Sequence, residues 1–444
     1  MSDPIEVIKG VGGLTLTENN VIAHSTDIFS LASQEASMKS GRSLIIRPLN
    51  MSDDGPFEFE IPPLDLQYMM PSATRLEMKL KIVQEDGANL PADAVVSFIN
   101  GIGTTLFNTI TVDINTKPLP ELTNSLAQYK SYFENVLTYG YDARNTALRA
   151  QQFHMDTNEH FESFTHNLGL NARKAICKES KTFQVSSPIH SDFFQTDKLL
   201  PPGLSILLRL HRAADSFVIM TNDNKRYKLK MMDMKLYVRF ITLSNELTSK
   251  HINLFEKRPA IYPLLKTVIK TKQYATGLQA VSWPNMFVGR LPKSLILGIL
   301  ASENFNGNYA KNPFNFKHHS CTDVSLKVNG AEVPTGGYHQ DFDDLIFLKS
   351  YQEFQDNIGI LHDNVGNVVS PDYYRGGCAF YAFDLSPDLC NGYHFHEPLM
   401  GNIHLDLTFK NATTEPLTVV AFSSFDMLIT IDQFRNVFSD TTNL

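Results

Sequence analysis

Cysteine is scarce in this chain: Cys177, Cys321, Cys378 and Cys390 are the four in 444 residues. None forms a CxxC pair, and the count is too thin for a disulfide scaffold. Buried, reduced thiols in a reducing compartment are expected, although Cys378 and Cys390 are close enough in sequence to meet across a hairpin. Charge is the second shortage. Charged residues make up 19% of the chain, against about 25% in an ordinary soluble protein. Burial against partner subunits would lower the need for charge, so the deficit is expected on flanks where subunits meet. The formal net charge is −8, which argues against coating a polyanion with a basic face. No apolar run approaches the roughly 18 residues of a membrane span. The start, MSDPIEVIKG, has no basic region ahead of an apolar core, so no secretory signal is expected there. Enzyme signatures are missing as well: no GxSxG elbow, no GxxxxGK[ST] loop, no GxGxxG after a strand and no HExxH.

Apolar residues are plentiful. Hydrophobic residues make up 43%, with 30 Phe and 16 Tyr. That content excludes a disordered chain, and the length suggests two or three domains or one large all-β unit. Period-two alternation dominates. Phe57-Glu58-Phe59-Glu60-Ile61 and Leu76 to Ile82 each place apolar residues on one strand face and charge on the other. The same holds for Leu204 to Leu210, Met234 to Phe240, Ile403 to Phe409 and Phe425 to Ile431. Turn residues punctuate the runs at Pro62-Pro63, Asp86-Gly87, Pro201-Pro202-Gly203, Asn329-Gly330 and Gly376-Gly377. Short strands with frequent turns read as a sandwich or jelly roll. Two stretches have helical spacing. Leu126, Tyr129, Phe133, Val136 and Leu137 follow Asn124 as a candidate cap and end at Gly140. Leu247, His251, Leu254 and Phe255 follow Ser244 and stop at Pro259, a candidate connector between domains.

The two halves resemble each other. Ile110-Thr-Val-Asp-Ile-Asn115 matches Val324-Ser-Leu-Lys-Val-Asn329, and Lys130-Ser131-Tyr132 matches Lys349-Ser350-Tyr351. The run from Gly203 matches the run from Gly401, and Met234–Phe240 matches Phe425–Ile431. Four echoes in one order, at offsets of roughly 190–220 residues, point to a tandem pair of β domains.

Candidate chemistry is thin. His394 and His396, with His404 further on, would share a strand face and could hold a metal. This loosely resembles the cupins, but Glu397 is adjacent to His396 and points to the opposite face, and the first half carries no copy. His318-His319 with Cys321 is a weaker metal group. Asp341, Asp343 and Asp344 could form a cation site, against the plainer reading of a solvated acidic turn. Gly101-Ile-Gly103 lacks a third glycine and a following helical pattern. Lys225-Arg226-Tyr227-Lys228-Leu229-Lys230 could touch nucleic acid, but alternating charge on one strand reads first as a solvated face.

Several blocks carry a family resemblance. They are Gly55-Pro-Phe-Glu-Phe-Glu-Ile61 with Glu85-Asp86-Gly87, and Phe107 to Asn115 with Tyr132-Phe-Glu-Asn-Val-Leu-Thr-Tyr-Gly140. Pro313-Phe-Asn-Phe316 with Val328-Asn-Gly330 follows, then Asp372-Tyr373 leading to Phe383-Asp-Leu-Ser-Pro-Asp388. The last are Gly401 to Phe409 and Phe425 to Val437. In this order the sequence resembles the double jelly-roll, hexon-like major capsid proteins of Polinton/Maverick elements and adintovirus-like viruses. The resemblance implies an all-β fold of two tandem eight-stranded jelly rolls, with a few short helices in loops and at the linker. The expected division is an N-terminal arm at 1–40, a first roll at 41–243, a linker helix at 244–258, a second roll at 259–437 and a tail at 438–444. It implies a structural protein of the virion, assembled inside the host cell. Such a chain forms homotrimers, pseudo-hexameric capsomers that meet neighbouring capsomers and a penton (minor capsid) protein in an icosahedral shell. No enzyme activity, cofactor, membrane span or sequence-specific nucleic-acid binding is expected. Ile8-Lys9-Gly10-Val11-Gly12 resembles the sites cut by adenovirus-type maturation proteases, which implies cleavage between Val11 and Gly12. The alternatives are a bicupin-like metal-binding β-barrel enzyme, a minor capsid protein, or a glycan-binding β-sandwich.

Overall fold

A computed structural model describes residues 35–223, 225–360, 365–387 and 395–439. Sixteen strands form the main sheets. The first eight are β1 (Met38–Ile46), β2 (Phe57–Ile61), β3 (Gln67–Gln84), β4 (Phe107–Ile114), β5 (Lys117–Pro118), β6 (Phe183–Pro188), β7 (Ile206–Arg212) and β8 (Tyr227–Leu243). The next eight are β9 (Ala260–Tyr274), β10 (Ala280–Arg290), β11 (Ser294–Ala301), β12 (Cys321–Val328), β13 (Ala331–His339), β14 (Phe380–Asp384), β15 (Met400–Phe409) and β16 (Leu417–Ile431). Four longer helices connect them: α1 (Ala127–Leu137), α2 (Leu168–Cys177), α3 (Asn245–Phe255) and α4 (Leu348–Asn357).

The sheets repeat one plan. In the first half the orders are β1-β8-β3-β6 and β2-β7-β4-β5. In the second they are β9-β16-β11-β14 and β10-β15-β12-β13. Adding eight to each strand number of the first half yields the second. Each half is therefore an eight-stranded jelly roll, and every pairing in these sheets is antiparallel. The alternation read from sequence sets the inner faces: Phe57, Phe59 and Ile61 are buried on β2, and Leu76, Met78, Leu80 and Ile82 on β3.

All four echoes fall on matching elements: β4 with β12, α1 with α4, β7 with β15, and β8 with β16. One register is corrected. Ile206 pairs with Ile114 and Ile403 pairs with Val328, so Ile206 corresponds to Ile403 rather than to His404. Matching Gly203 to Gly401 slips the strand by one, which would turn every side chain to the other face.

The caps differ between the two predicted helices. Ser244 does cap α3, its Oγ accepting from the Leu247 amide at 3.3 Å. Asn124 does not cap α1. Its backbone pairs with Ile110 of β4, and its side-chain amide donates to Asp192 Oδ2 at 2.7 Å. The chain turns into α1 through Leu126, at a left-handed φ of 54°, and the helix ends at Leu137, three residues before Gly140.

Candidate functional site

Outside the two sandwich interiors, a further buried surface lies where the rolls meet. α1 belongs to the first roll but packs on the second. Tyr132 stacks on Phe314 at 4.2 Å between centroids, Tyr129 stacks on Phe305 at 5.5 Å, and Phe133 contacts Phe316, Phe380 and Phe422. Phe380 and Phe422 stand on the outward face of the β9-β16-β11-β14 sheet. Ile296, Leu300, Ala382 and Val420 complete that face, buried in one apolar cluster with α1. The alternate residues Leu295, Leu297, Tyr381, Val419 and Ala421 point the other way into the second roll's own core. These strands are apolar on both faces, so each buries two surfaces, and the aromatic rings supply large contact area there.

Two buried polar clamps lock the same junction. Arg173 of α2 is fully buried; it donates to the Phe98 carbonyl at 2.8 Å and to Asp156 Oδ1 at 2.7 Å. The other Asp156 oxygen accepts from Asn312 of the second roll at 3.2 Å. In the second clamp Lys130 of α1 pairs with Glu134 and with Asp192. Asp192 Oδ2 accepts from the Thr267 amide on β9 at 3.0 Å. Burial alone would raise the Glu134 carboxyl, but the charges and hydrogen bonds of Lys130 and His190 outweigh it and bring it to about 2. A buried charge is tolerated when paired in this way.

The metal candidates are placed as follows. His394, with Cys390, Val11 and Gly12, lies outside the described residues. His396 is half-buried in irregular chain before β15 begins at Met400. His404 lies outward on β15, where its Nε2 meets Asp406 Oδ1 at 2.8 Å and Ser282 Oγ at 3.1 Å. Serine and aspartate share one ring nitrogen, whereas a hydrolytic triad needs them on opposite nitrogens. His318 stacks on Phe342 at 4.1 Å. Burial lowers both His318 and His319 to about 4, helped by Arg375 and Lys317 at His318 and by Lys317 at His319. Together with Glu159, Lys317, Ser320 and Arg375 they line a cavity of about 260 Å³. Among the described residues, no three His, Cys, Asp or Glu side chains gather as a metal site. The acidic turn is already filled: Lys410 Nζ sits 2.9 Å from Asp341 Oδ2 and 2.9 Å from Asp343 Oδ2. Cys177, Cys321 and Cys378 are free and buried, and burial pushes each thiol up to about 12. Such thiols are inert packing groups.

What sequence reasoning missed is the role of α1. Its helical spacing was visible, but not that the apolar stripe faces the other roll. The signal that could have shown it is the echo itself: Tyr129 and Phe133, which flank Lys130-Ser131-Tyr132, are matched by Leu348 and Gln352, which are not aromatic.

No protein-family model matches the chain. A curated relative, an uncharacterized protein of Caenorhabditis elegans, is 26% identical over 404 residues, covering 87% of this chain and 94% of its own length. Among solved structures, a chain of the Sputnik virophage superposes with a TM-score of 0.62 at 14% identity, over 97% of this chain and 94% of that one. The Faustovirus major capsid protein superposes at 0.61 with 9% identity, over 96% of each chain. The mavirus major capsid protein superposes at 0.51 with 12% identity, over 96% of each chain. The chain thus has the double jelly-roll fold of viral major capsid proteins along nearly its whole length.

Proposed function

We propose that the chain is a major capsid protein, a structural rather than enzymatic component of a virion. The observation that carries this reading is the duplicated roll: two jelly rolls of one topology, held flank to flank by an apolar face and two buried clamps. A rigid pair of this kind is a third of a pseudo-hexagon. Three copies around an axis supply six rolls, and closed cyclic assembly is the usual outcome for such units. The pair also favours this role over that of a minor, pentameric capsid protein, which needs a single roll.

The finer reading is a homotrimeric capsomer of a Polinton/Maverick or adintovirus-like element, tiling an icosahedral shell assembled inside the host cell. The nematode relative supports an element carried in animals, and the mavirus and Sputnik folds support a virus-like shell. Neighbouring capsomers and a penton protein are the partners, and a maturation protease would cut between Val11 and Gly12. The division into rolls at 41–243 and 259–437, with an arm at 1–40, a linker at 244–258 and a tail at 438–444, belongs to this reading. Negative-stain electron microscopy of the purified chain tests it. Particles with a hexagonal outline support a capsomer, whereas small particles with two lobes at high concentration contradict it.

A further inference from the structure

Within the β5–β6 and β13–β14 connections, the stretch from Leu126 to Glu134 corresponds to that from Leu345 to Glu353. Leu126 and Leu345 both take left-handed φ, 54° and 60°. Four residues on, Lys130–Glu134 and Lys349–Glu353 form the same i, i+4 ion pair. Ser131 and Ser350 are both buried. Their outer surroundings differ. α1 is sealed against the second roll, and the Lys130 side chain is 1% exposed. At α4 the Lys349 side chain is 75% exposed, and Leu345, Ile346 and Leu348 are 57%, 64% and 58% exposed. Three large apolar side chains bared within four residues are unusual for a finished surface.

The receiving face is duplicated too. Within the chain, α1 covers the outward positions of β11, β14 and β16. The corresponding outward positions of β3, β6 and β8 carry Glu77, Lys79, Lys81, Gln184, Lys230 and Lys235, and among the described residues no helix seals them as α1 seals the second roll. Lys81 and Lys230 stand directly opposite each other, and like charges so placed repel. Met232 beside them is 51% exposed. The β13–β14 tip has the complementary sign: Asp341 and Asp343 share Lys410, and Asp344 adds a further exposed carboxylate.

We infer that the tip from Asp341 to Gln352 of one copy seats on the outward face of β3 and β8 of a second copy. This repeats between chains the contact that α1 makes within one. It rests on the capsomer reading above and names the surfaces that close the ring: Leu345, Ile346 and Leu348 against Met232 and the lysine stems, with Asp344 facing Lys81 and Lys230. The contact between chains is more polar than the one within, as expected of partners that must stay soluble before they meet.

The test measures mass by light scattering on the full-length chain at about 0.15 M salt. Leu345→Asp with Leu348→Asp is expected to convert trimer to monomer, with circular dichroism and melting showing that the monomer stays folded. Asp344→Lys, a change on an exposed side chain, is expected to weaken assembly about tenfold, and Lys230→Glu added to it should restore most of the loss. If the unaltered chain is a trimer and all these variants remain trimers of equal strength, the inference is overturned while the capsomer reading stands. If the unaltered chain is a monomer, both fall.

Discussion

Asn115 and Asn329 make the same bonds in the two rolls. The Asn115 amide donates to the Ser205 carbonyl at 2.8 Å, and its Oδ1 accepts from the Ser205 amide at 2.9 Å. The Asn329 amide donates to the Asn402 carbonyl at 3.0 Å, and its Oδ1 accepts from the Asn402 amide at 2.9 Å. Both residues sit at left-handed φ, 51° and 52°, a region that asparagine tolerates better than most residues. Each closes the same corner, where one strand ends beside another that begins. A Cβ on Gly401 would lie 1.7 Å from Asn329 Oδ1, so the glycine is required by that approach.

The two asparagines are not equal in reach. Asn115 Nδ2 donates to the Arg435 carbonyl of the second roll at 2.7 Å, whereas Asn329 Nδ2 donates to the Met400 carbonyl within its own roll at 3.1 Å. Asn115→Ala and Asn329→Ala each lose the same set of bonds and leave alanine at left-handed φ, so each is expected to cost about 2 kcal/mol. Urea denaturation of the two variants measures this, and a loss well below about 1 kcal/mol in either would show that its corner contributes little.

The Arg173–Asp156 clamp predicts a larger effect. Replacing Arg173 by Met strands a buried carboxylate, at a cost of about 3–5 kcal/mol. The same substitution should also loosen the hold on Asn312. Limited proteolysis is expected to cut the variant between the rolls, where the parent chain resists.

At the junction, Phe133 packs against three rings of the second roll, whereas its counterpart Gln352 is exposed. Phe133→Ala should destabilise the chain by about 3–5 kcal/mol, and Gln352→Ala by less than about 0.5 kcal/mol. Thermal melting of both variants, run below the assembly concentration, separates an internal contact from an external one.

Acid should weaken the fold. Burial, helped by neighbouring cations, holds His154, His318 and His319 at about 4 against an ordinary 6.5. The folded state thus binds fewer protons than the unfolded chain between those values. The stability these imidazoles contribute is complete above pH 6.5 and is lost as pH falls towards 4. Melting temperature is expected to fall across that window, and His318→Phe, which keeps the stack on Phe342, should flatten the fall. An unchanged slope in the variant would remove His318 from the account.

Much of the architecture was legible because strand alternation has a short period. The buried faces of β2, β3, β8, β15 and β16 could be read residue by residue. The order of the four echoes could be read too, since each lies on one element. Register was not legible from Gly203 and Gly401, because a glycine marks a turn rather than a face. Asn124 misled because a side chain three residues before a helix can be recruited by something distant, here Asp192. The expected shortage of charge on the flanks was half visible. The charge-poor flank is the one the two rolls of a single chain share, while the outward face of β3 and β8 keeps its lysines. Sequence composition sums both flanks and cannot tell them apart.

In the proposed capsomer, one chain supplies two sixths of a closed ring. The most direct measurement is the solution mass of the full-length chain by light scattering across a dilution series. The expected result is a species of about three times 50.0 kDa that dissociates only on strong dilution, as cyclic assemblies with large interfaces do. A monodisperse species at the mass of a single chain, persisting at high concentration, would contradict it.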